Sequence, residues 1–164
     1  MALSSTQIGA LAENLVVNEL MIESGGRLTP FQPLADDDGI DVLIYDKVTG
    51  RAAPLQIKAR TNTLRKRGSE DRGNTAHFEH SKATIRADRS SFLLCVLLDP
   101  SLRSTGTAWL IPIGDVPTVA NDKGSKYVIR ASRVEGTMDR YRNYQCQTML
   151  EVARRLIDYF ENDT

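Results

Sequence analysis

Apolar residues recur with the period of an α-helix near both ends of the chain. Residues 6–23 place their apolar side chains on one broad arc at about 3.6 residues per turn, which predicts a helix. A serine or threonine at its start can cap this helix, and the glycines of residues 24–26 can end it. Residues 145–160 predict a final helix with the same period. Its apolar face contains Met149, Val152, Ala153, Leu156, Ile157 and Phe160.

Between the two helices, the apolar residues fall in short runs that are typical of β-strands. The runs at residues 40–45 and 53–59 predict two neighbouring strands, because the segment between them has the composition of a hairpin loop. A nearly all-apolar run at residues 91–98 predicts a strand that is buried on both faces. Further extended segments are predicted at residues 27–34, 107–113 and 126–131.

Two polar stretches interrupt these strands. Residues 61–75 carry many charges and no apolar period, so we predict a loop there, and residues 78–88 predict a short helix. The order of helix, hairpin, strands and helix predicts one α/β (α+β) domain over residues 1–164, built around a central mixed sheet flanked by helices. Residues 6–113 would form its core, and residues 114–164 would complete the fold with a strand and the final helix.

The composition agrees with one folded domain. The 164 residues are 41% hydrophobic and 26% charged, which is too apolar for a disordered chain. No apolar run is long enough for a transmembrane helix, and the first residues lack the basic region of a signal peptide. The two cysteines, Cys95 and Cys146, lie far apart in apolar or amphipathic runs, which predicts buried thiols and a cytoplasmic location.

The net charge of zero conceals two segments of opposite sign. Residues 1–50 hold eight acidic residues against two basic ones, a net charge of −6. Residues 51–90 hold ten basic residues against four acidic ones, a net charge of +6, and the remainder balances. Such asymmetry is typical of nucleic-acid or metal sites, although a solvated surface can also produce it.

The most informative polar residues lie on the two strands of the predicted hairpin. Asp41 lies at the start of the first strand, and Gln56 and Lys58 lie on the second. Because residues i and i+2 of a strand point to the same side, Gln56 and Lys58 share one face near Asp41. A lysine in the middle of an apolar strand costs free energy unless it is exposed or paired. Lys58 is therefore either an edge-strand solubility charge or a functional group.

This arrangement resembles the PD-(D/E)xK nuclease superfamily, which has the restriction-endonuclease-like fold, and within it the small Holliday-junction-resolvase-like domains. The resemblance covers roughly residues 6–113. The family's helix glutamate is matched by Glu13 in GALAENLV, and its strand aspartate by Asp41 in GIDVLIYD. Its (D/E/Q)xK pair is matched by Gln56 and Lys58 in LQIKAR. Gln56 departs from the commoner Asp or Glu, which removes one negatively charged ligand.

The helix acid has two candidates on the predicted first helix. Glu13 matches the family context but lies at the rim of the apolar arc, whereas Glu19 lies near its middle. We keep Glu13 as the predicted site residue, and Glu19 remains its rival.

The resemblance implies a catalytic set of Glu13, Asp41, Gln56 and Lys58 that works with Mg²⁺ or Mn²⁺. Such hard cations prefer oxygen ligands. The resemblance assigns these ligands to Glu13, Asp41, the Gln56 amide and the Ile57 carbonyl, and a single ion is expected because Gln56 is neutral. Lys58 would hold or activate the attacking water.

Basic residues follow the predicted catalytic strand directly. In a nuclease they would contact DNA phosphates and make binding strongly dependent on salt. The alternative is a solvated loop. The predicted DNA-binding residues are Arg60, Arg65, Lys66, Arg67 and Arg72.

Three functions agree with these observations. The first is a metal-dependent DNA endonuclease or related phosphodiesterase. The second is a catalytically weak or inactive DNA-binding relative, in which Gln56 has reduced metal binding. The third is a dimeric structural subunit with a vestigial site. A homodimer is also an expectation for the nuclease, by analogy with related small nucleases.

Overall fold

A computed structural model of the chain describes residues 3–35, 39–65 and 73–162. In chain order, its helices and strands are α1 (Ser5–Glu23), β1 (Leu28–Phe31), β2 (Val42–Asp46), β3 (Ala52–Arg60), β4 (Thr75–Ser81), β5 (Phe92–Leu98), β6 (Thr105–Pro112), α2 (Val116–Val119), β7 (Asn121–Lys123), β8 (Lys126–Ser132), β9 (Gln145–Cys146) and α3 (Met149–Asn162).

The described strands form two sheets. The main sheet has six strands in the order β1-β2-β3-β5-β6-β9, and β3 and β5 are parallel while the other neighbours are antiparallel. The second sheet has the order β4-β8-β7. A parallel pair requires a long crossover connection, and here that connection contains β4. The mixed sheet flanked by helices confirms the predicted fold class.

The first helix begins and ends as its sequence predicts. Ser4 and Gln7 form a capping box, in which the Gln7 backbone N–H donates to Ser4 Oγ at 3.2 Å and the Ser4 N–H donates to Gln7 Oε1 at 2.9 Å. After Glu23 the chain turns away through Gly25 and Gly26, whose φ angles of 60° and 79° favour glycine.

Both faces of the main sheet are covered, which explains the apolar run in β5. One core lies between the sheet and the helices α1 and α3, and it includes Leu94 and Val96. The other core lies beneath the second sheet and includes Leu93, Cys95 and Leu97. All seven residues of β5 are therefore buried, which confirms the prediction of a strand covered on both faces.

Two predicted helices differ from the structure. The short helix predicted at residues 78–88 is wrong, because residues 75–81 form β4, followed by a 3-10 turn at Lys82–Thr84. In β4, Ala76 and Phe78 are buried whereas Glu79 is exposed, which is the alternation of a strand. The final helix begins later than predicted, at Met149, because residues 145–146 pair with β6.

The chain after residue 113 contributes more than the predicted strand and helix. It supplies β7 and β8 to the second sheet and β9 to the edge of the main sheet, before α3 packs on α1. In the described ranges, no helix combines the length and the apolar character that crossing a membrane requires.

A buried ion pair joins Arg27, the residue before β1, to the end of β2. Asp46 is fully buried, and its two carboxylate oxygens accept hydrogen bonds from Arg27 Nε at 2.8 Å and Nη2 at 2.9 Å. Thr49 Oγ1 also donates to Asp46 Oδ2 at 2.7 Å. The hydrogen bonds from Arg27 hold the pKa of Asp46 well below its usual range, against the opposing effect of burial. Arg27 also contacts Glu161 of α3 at 2.8 Å.

Candidate active site

Asp41 lies immediately before β2, where the backbone holds it against β3. Its N–H donates to the Leu55 carbonyl at 3.1 Å. Leu55 is also the pairing partner of Val42, the first residue of β2, so the pairing of the two strands continues to Asp41. The Ile57 N–H donates to Asp41 Oδ2 at 2.5 Å. The carboxylate is therefore fixed beside the middle of β3, as the predicted hairpin requires.

Glu13, Asp41 and Lys58 line one cavity of about 280 Å³ between α1 and β3. Regular pairing with β2 ends at Leu55, so the second half of β3 is open on that side. Gly9, which has no side chain, and Ala12, which has only a methyl group, line the cavity from α1 and leave room for it. The remaining lining residues are Ser5, Ile8, Ile57, Ala59, Arg60 and Thr61. The fold thus brings together three of the four predicted catalytic residues.

The rival helix acid, Glu19, has a different position. Its carboxylate accepts hydrogen bonds from the Thr105 N–H at 3.0 Å and from the Thr105 hydroxyl. These contacts join α1 to the start of β6. Glu13 is therefore the acid of α1 that faces Asp41 and Lys58, and Glu19 anchors the helix to the sheet.

Gln56, the fourth predicted catalytic residue, lines a separate cavity. In the register of β3 and β5, Gln56 and Lys58 lie opposite Leu93 and Cys95, so both are on one face of β3, which is the side of the second core. Gln56 is 7% exposed, and it borders a cavity of about 80 Å³. Gly39 packs directly against it, because a Cβ atom there would lie 2.9 Å from Gln56 Nε2.

The donor set at the larger cavity fits a hard divalent cation that keeps much of its water. In residues 3–35, 39–65 and 73–162, no three His, Cys, Asp or Glu side chains converge as a metal-binding cluster. Two carboxylates, those of Glu13 and Asp41, do line the same cavity. Mg²⁺ is commonly held by one or two carboxylates and retains several waters, so these oxygens suit it.

The predicted DNA-binding residues are only partly described by the structure. Arg60 is exposed and lines the cavity of Glu13 and Asp41. Arg65 is also exposed and follows Leu64, which forms an isolated bridge with Thr75. The other three, Lys66, Arg67 and Arg72, lie outside the described residues.

Sequence reasoning missed a buried histidine near Lys58. His80 is 2% exposed on the inner face of β4, and neither ring nitrogen has a hydrogen-bond partner among the described residues. Burial, together with the positive charge of Lys58, lowers the pKa of His80 from 6.5 to about 3. The alternation of Ala76, Phe78 and His80 is the sequence signal that could have identified it.

His80 should make the protein less stable in mild acid. The unfolded chain takes up a proton near pH 6.5, whereas folded His80 stays neutral to about pH 3. Its contribution to stability is therefore complete above pH 6.5 and is lost as the pH falls towards 3. Urea unfolding between pH 6.5 and 4.5 should show a slope of about 1.4 kcal/mol per pH unit, which His80→Leu removes.

The matched control is His77→Leu on the outer face of the same strand. His77 is partly exposed and contacts Glu79 at 3.4 Å, so its removal should leave that slope unchanged. An unchanged slope in the His80→Leu protein would show that another group takes up the proton.

Comparison with solved structures relates this architecture to nucleases. The chain superimposes on the bacterial homing endonuclease I-Ssp6803I with a TM-score of 0.62 and 12% sequence identity, over 98% of this chain and 96% of that chain. The chain has the restriction-endonuclease-like fold. In this restriction-endonuclease-like fold, the cavity residues come from α1, from the segment before β2, and from β3.

A second structure is similar over a smaller part of the chain. Hjc, a Holliday junction resolvase from the hyperthermophilic archaeon Archaeoglobus fulgidus, has a TM-score of 0.46 and 12% identity, over 83% of this chain and 98% of that chain. No protein-family model and no curated protein matches the sequence.

Proposed function

We propose that this protein is a metal-dependent nuclease that hydrolyses phosphodiester bonds in DNA. The observation that supports this most is the shared cavity of Glu13, Asp41 and Lys58 in a restriction-endonuclease-like fold. Two acidic side chains and a lysine at one opening match the needs of phosphodiester hydrolysis, which requires positive charge beside the phosphate and an activated water.

Glu13 and Asp41 would hold the divalent cation, with the Ile57 carbonyl as a further proposed oxygen ligand, whereas Gln56 borders the other cavity and is not assigned to this ion. A bound Mg²⁺ or Mn²⁺ would polarise the scissile phosphate and stabilise the leaving oxygen. The hydrogen bond from the Ile57 N–H orients the Asp41 carboxylate before any ion is bound, which reduces the entropy lost on binding.

Lys58 would orient the attacking water and offset the negative charge that develops on the phosphate. Its position on β3, between Ile57 and the exposed Arg60, places it within the same cavity as both acids. Arg60 would contact a neighbouring phosphate of the backbone, and Arg65, Lys66, Arg67 and Arg72 would extend these contacts along the DNA.

The proposed nuclease would act in the cytoplasm as a homodimer. The free thiols of Cys95 and Cys146 are buried, as in proteins of reducing compartments. Glu13, Asp41 and Lys58 of one chain form one proposed catalytic site, and cutting both strands of a duplex at once requires two such sites.

The test is incubation with duplex, single-stranded and branched DNA in Mg²⁺, Mn²⁺ or EDTA. We expect the wild-type protein to cut at least one substrate with a divalent cation and none in EDTA. Asp41→Asn should reduce cutting by about 100-fold or more, because it removes a proposed ligand. Asp158→Asn, an exposed position on α3, is the matched control and should cut normally. Asp41→Asn cutting at the wild-type rate would contradict the proposal.

The neutral, buried Gln56 favours a second candidate, a DNA-binding relative without efficient cleavage. Gln56 borders a different cavity from Glu13 and Asp41, and it adds no charge to attract a cation. Such a protein would bind DNA in EDTA with strong salt dependence and would cut no substrate with either metal.

A further inference from the structure

The smaller cavity, beside Gln56, contains two arginines that the proposed catalytic site does not use. Arg86 and Arg89 border it together with Thr84 and Ser91. Its apolar and backbone lining comes from Gly39, Ile40, Pro54, Leu55, Phe92 and Ile113. Guanidinium groups bind phosphate through two parallel N–H donors, so paired arginines at a concave surface are suited to a phosphate group.

From this arrangement we infer that Arg86 and Arg89 bind a DNA backbone phosphate close to the scissile one. The inference rests on the proposed function, since the ligand is the DNA that the nuclease would cut. It adds a second phosphate site, at the cavity beside Gln56, to the contacts proposed for the basic residues that follow β3.

Backbone hydrogen bonds hold both arginines at the start of β5. The Arg89 N–H donates to the Arg86 carbonyl at 3.0 Å, which closes a turn between them. The Ser91 N–H donates to the Arg89 carbonyl at 3.0 Å, and the Ile113 N–H donates to the Ser91 carbonyl at 2.9 Å. These hydrogen bonds join the turn to the main sheet, so the backbone that carries Arg86 and Arg89 is held in place.

The charge of Arg86 is available to an incoming anion. Its contact with Asp88 is 3.8 Å long, and the two side chains are 50% and 74% exposed. An exposed ion pair of this length contributes little to stability. A phosphate can therefore replace Asp88 at low cost.

The two cavities are lined by neighbouring residues of β3 and of the segment before β2. Gln56 borders the smaller cavity and Lys58 the larger, and two residues of a strand span roughly 7 Å. In the segment before β2, Gly39 likewise borders the smaller cavity and Asp41 the larger one. A DNA strand advances about 3.4 Å along its axis per phosphate, so the second phosphate would lie within about two nucleotides of the scissile one.

The test compares Arg86→Gln/Arg89→Gln with the wild-type protein in a binding assay. Fluorescence anisotropy of a labelled duplex in EDTA, from 50 to 300 mM KCl, measures binding without cleavage. Each phosphate that is no longer neutralised reduces the slope of log K against log salt by about 0.9. Because Arg86 and Arg89 bind one phosphate together, the double variant should bind more weakly with a slope shallower by about 0.9.

Two further variants separate a phosphate site from a general charge effect. Lys47→Gln/Arg154→Gln removes two exposed charges, from the β2–β3 turn and from α3, and should bind as the wild type does. Arg86→Lys/Arg89→Lys keeps the charge but lacks the paired donors, so it should retain the wild-type slope with weaker binding. Circular dichroism verifies that each variant is folded.

The results distinguish this inference from the proposed function. The inference is overturned if Arg86→Gln/Arg89→Gln binds DNA with the wild-type affinity and slope. It is also overturned if Lys47→Gln/Arg154→Gln loses as much DNA affinity as that variant does. Both conclusions hold even when the wild-type protein cuts DNA. If the wild-type protein binds but never cuts, and the double variant shows the shallower slope, the phosphate site stands and the nuclease proposal fails.

Discussion

Lys58→Ala should reduce the rate of DNA cleavage by roughly 100- to 1000-fold, the usual cost of removing one group that stabilises charge in a transition state. Lys58 lines the cavity that contains Glu13 and Asp41, the two proposed ligands. The measurement is single-turnover cleavage with saturating protein, which separates the chemical step from DNA binding.

Lys47→Ala is the matched control for Lys58→Ala. Lys47 is exposed in the turn between β2 and β3, at the opposite end of β2 from Asp41. Its removal should leave the cleavage rate within about twofold of wild type, because exposed charges at this distance are largely screened. Equal losses in the two variants would show that Lys58 acts through overall charge.

Arg27→Leu should lower the free energy of unfolding by about 3–5 kcal/mol, the cost of leaving a buried charge without its partner. Asp46 is fully buried, and Arg27 supplies two of its hydrogen bonds. Urea denaturation at pH 7 measures the loss. Because Arg27 lowers the pKa of Asp46, the difference in stability between the wild-type protein and Arg27→Leu should be complete above about pH 4. This difference should decrease as the pH falls below that value.

Two controls test whether the buried charge is the cause. Glu161→Gln removes only the exposed contact of Arg27 and should cost less than about 1 kcal/mol. Arg27→Leu/Asp46→Asn removes both charges but keeps an oxygen that can accept from Thr49, so it should recover part of the stability. A double variant as unstable as Arg27→Leu would contradict this explanation.

Local patterns predicted the parts of the site that lie close together in sequence. The Asp41 segment and β3 form a hairpin across a short turn, so their pairing required only two β-rich runs and a loop. The helix that carries Glu13 also followed from its apolar period and its cap. The sequence did not decide between Glu13 and Glu19. A helical period defines which residues lie on the apolar arc, but it does not determine which part of the protein each residue contacts.

Contacts between distant segments decided the rest of the site. Regular pairing with β2 ends at Leu55, and this opens the second half of β3 to the cavity. The separation of Gln56 from Lys58 into two cavities depends on Gly39, Thr84 and the Arg86–Arg89 turn, which reach β3 only in the folded chain.

The sequence by itself determined the first helix, the hairpin, the doubly buried β5 and the order of acidic and basic residues along the chain, because each depends on local periodicity or composition. Only the tertiary structure decided the second sheet, in which β4 pairs with β8 about fifty residues later. That pairing covers His80 near Lys58; the alternation along β4 can indicate that His80 faces inward, but it does not specify the partner strand. Sequence spacing limits which residues can lie on one face of an element, whereas packing between elements decides which faces meet.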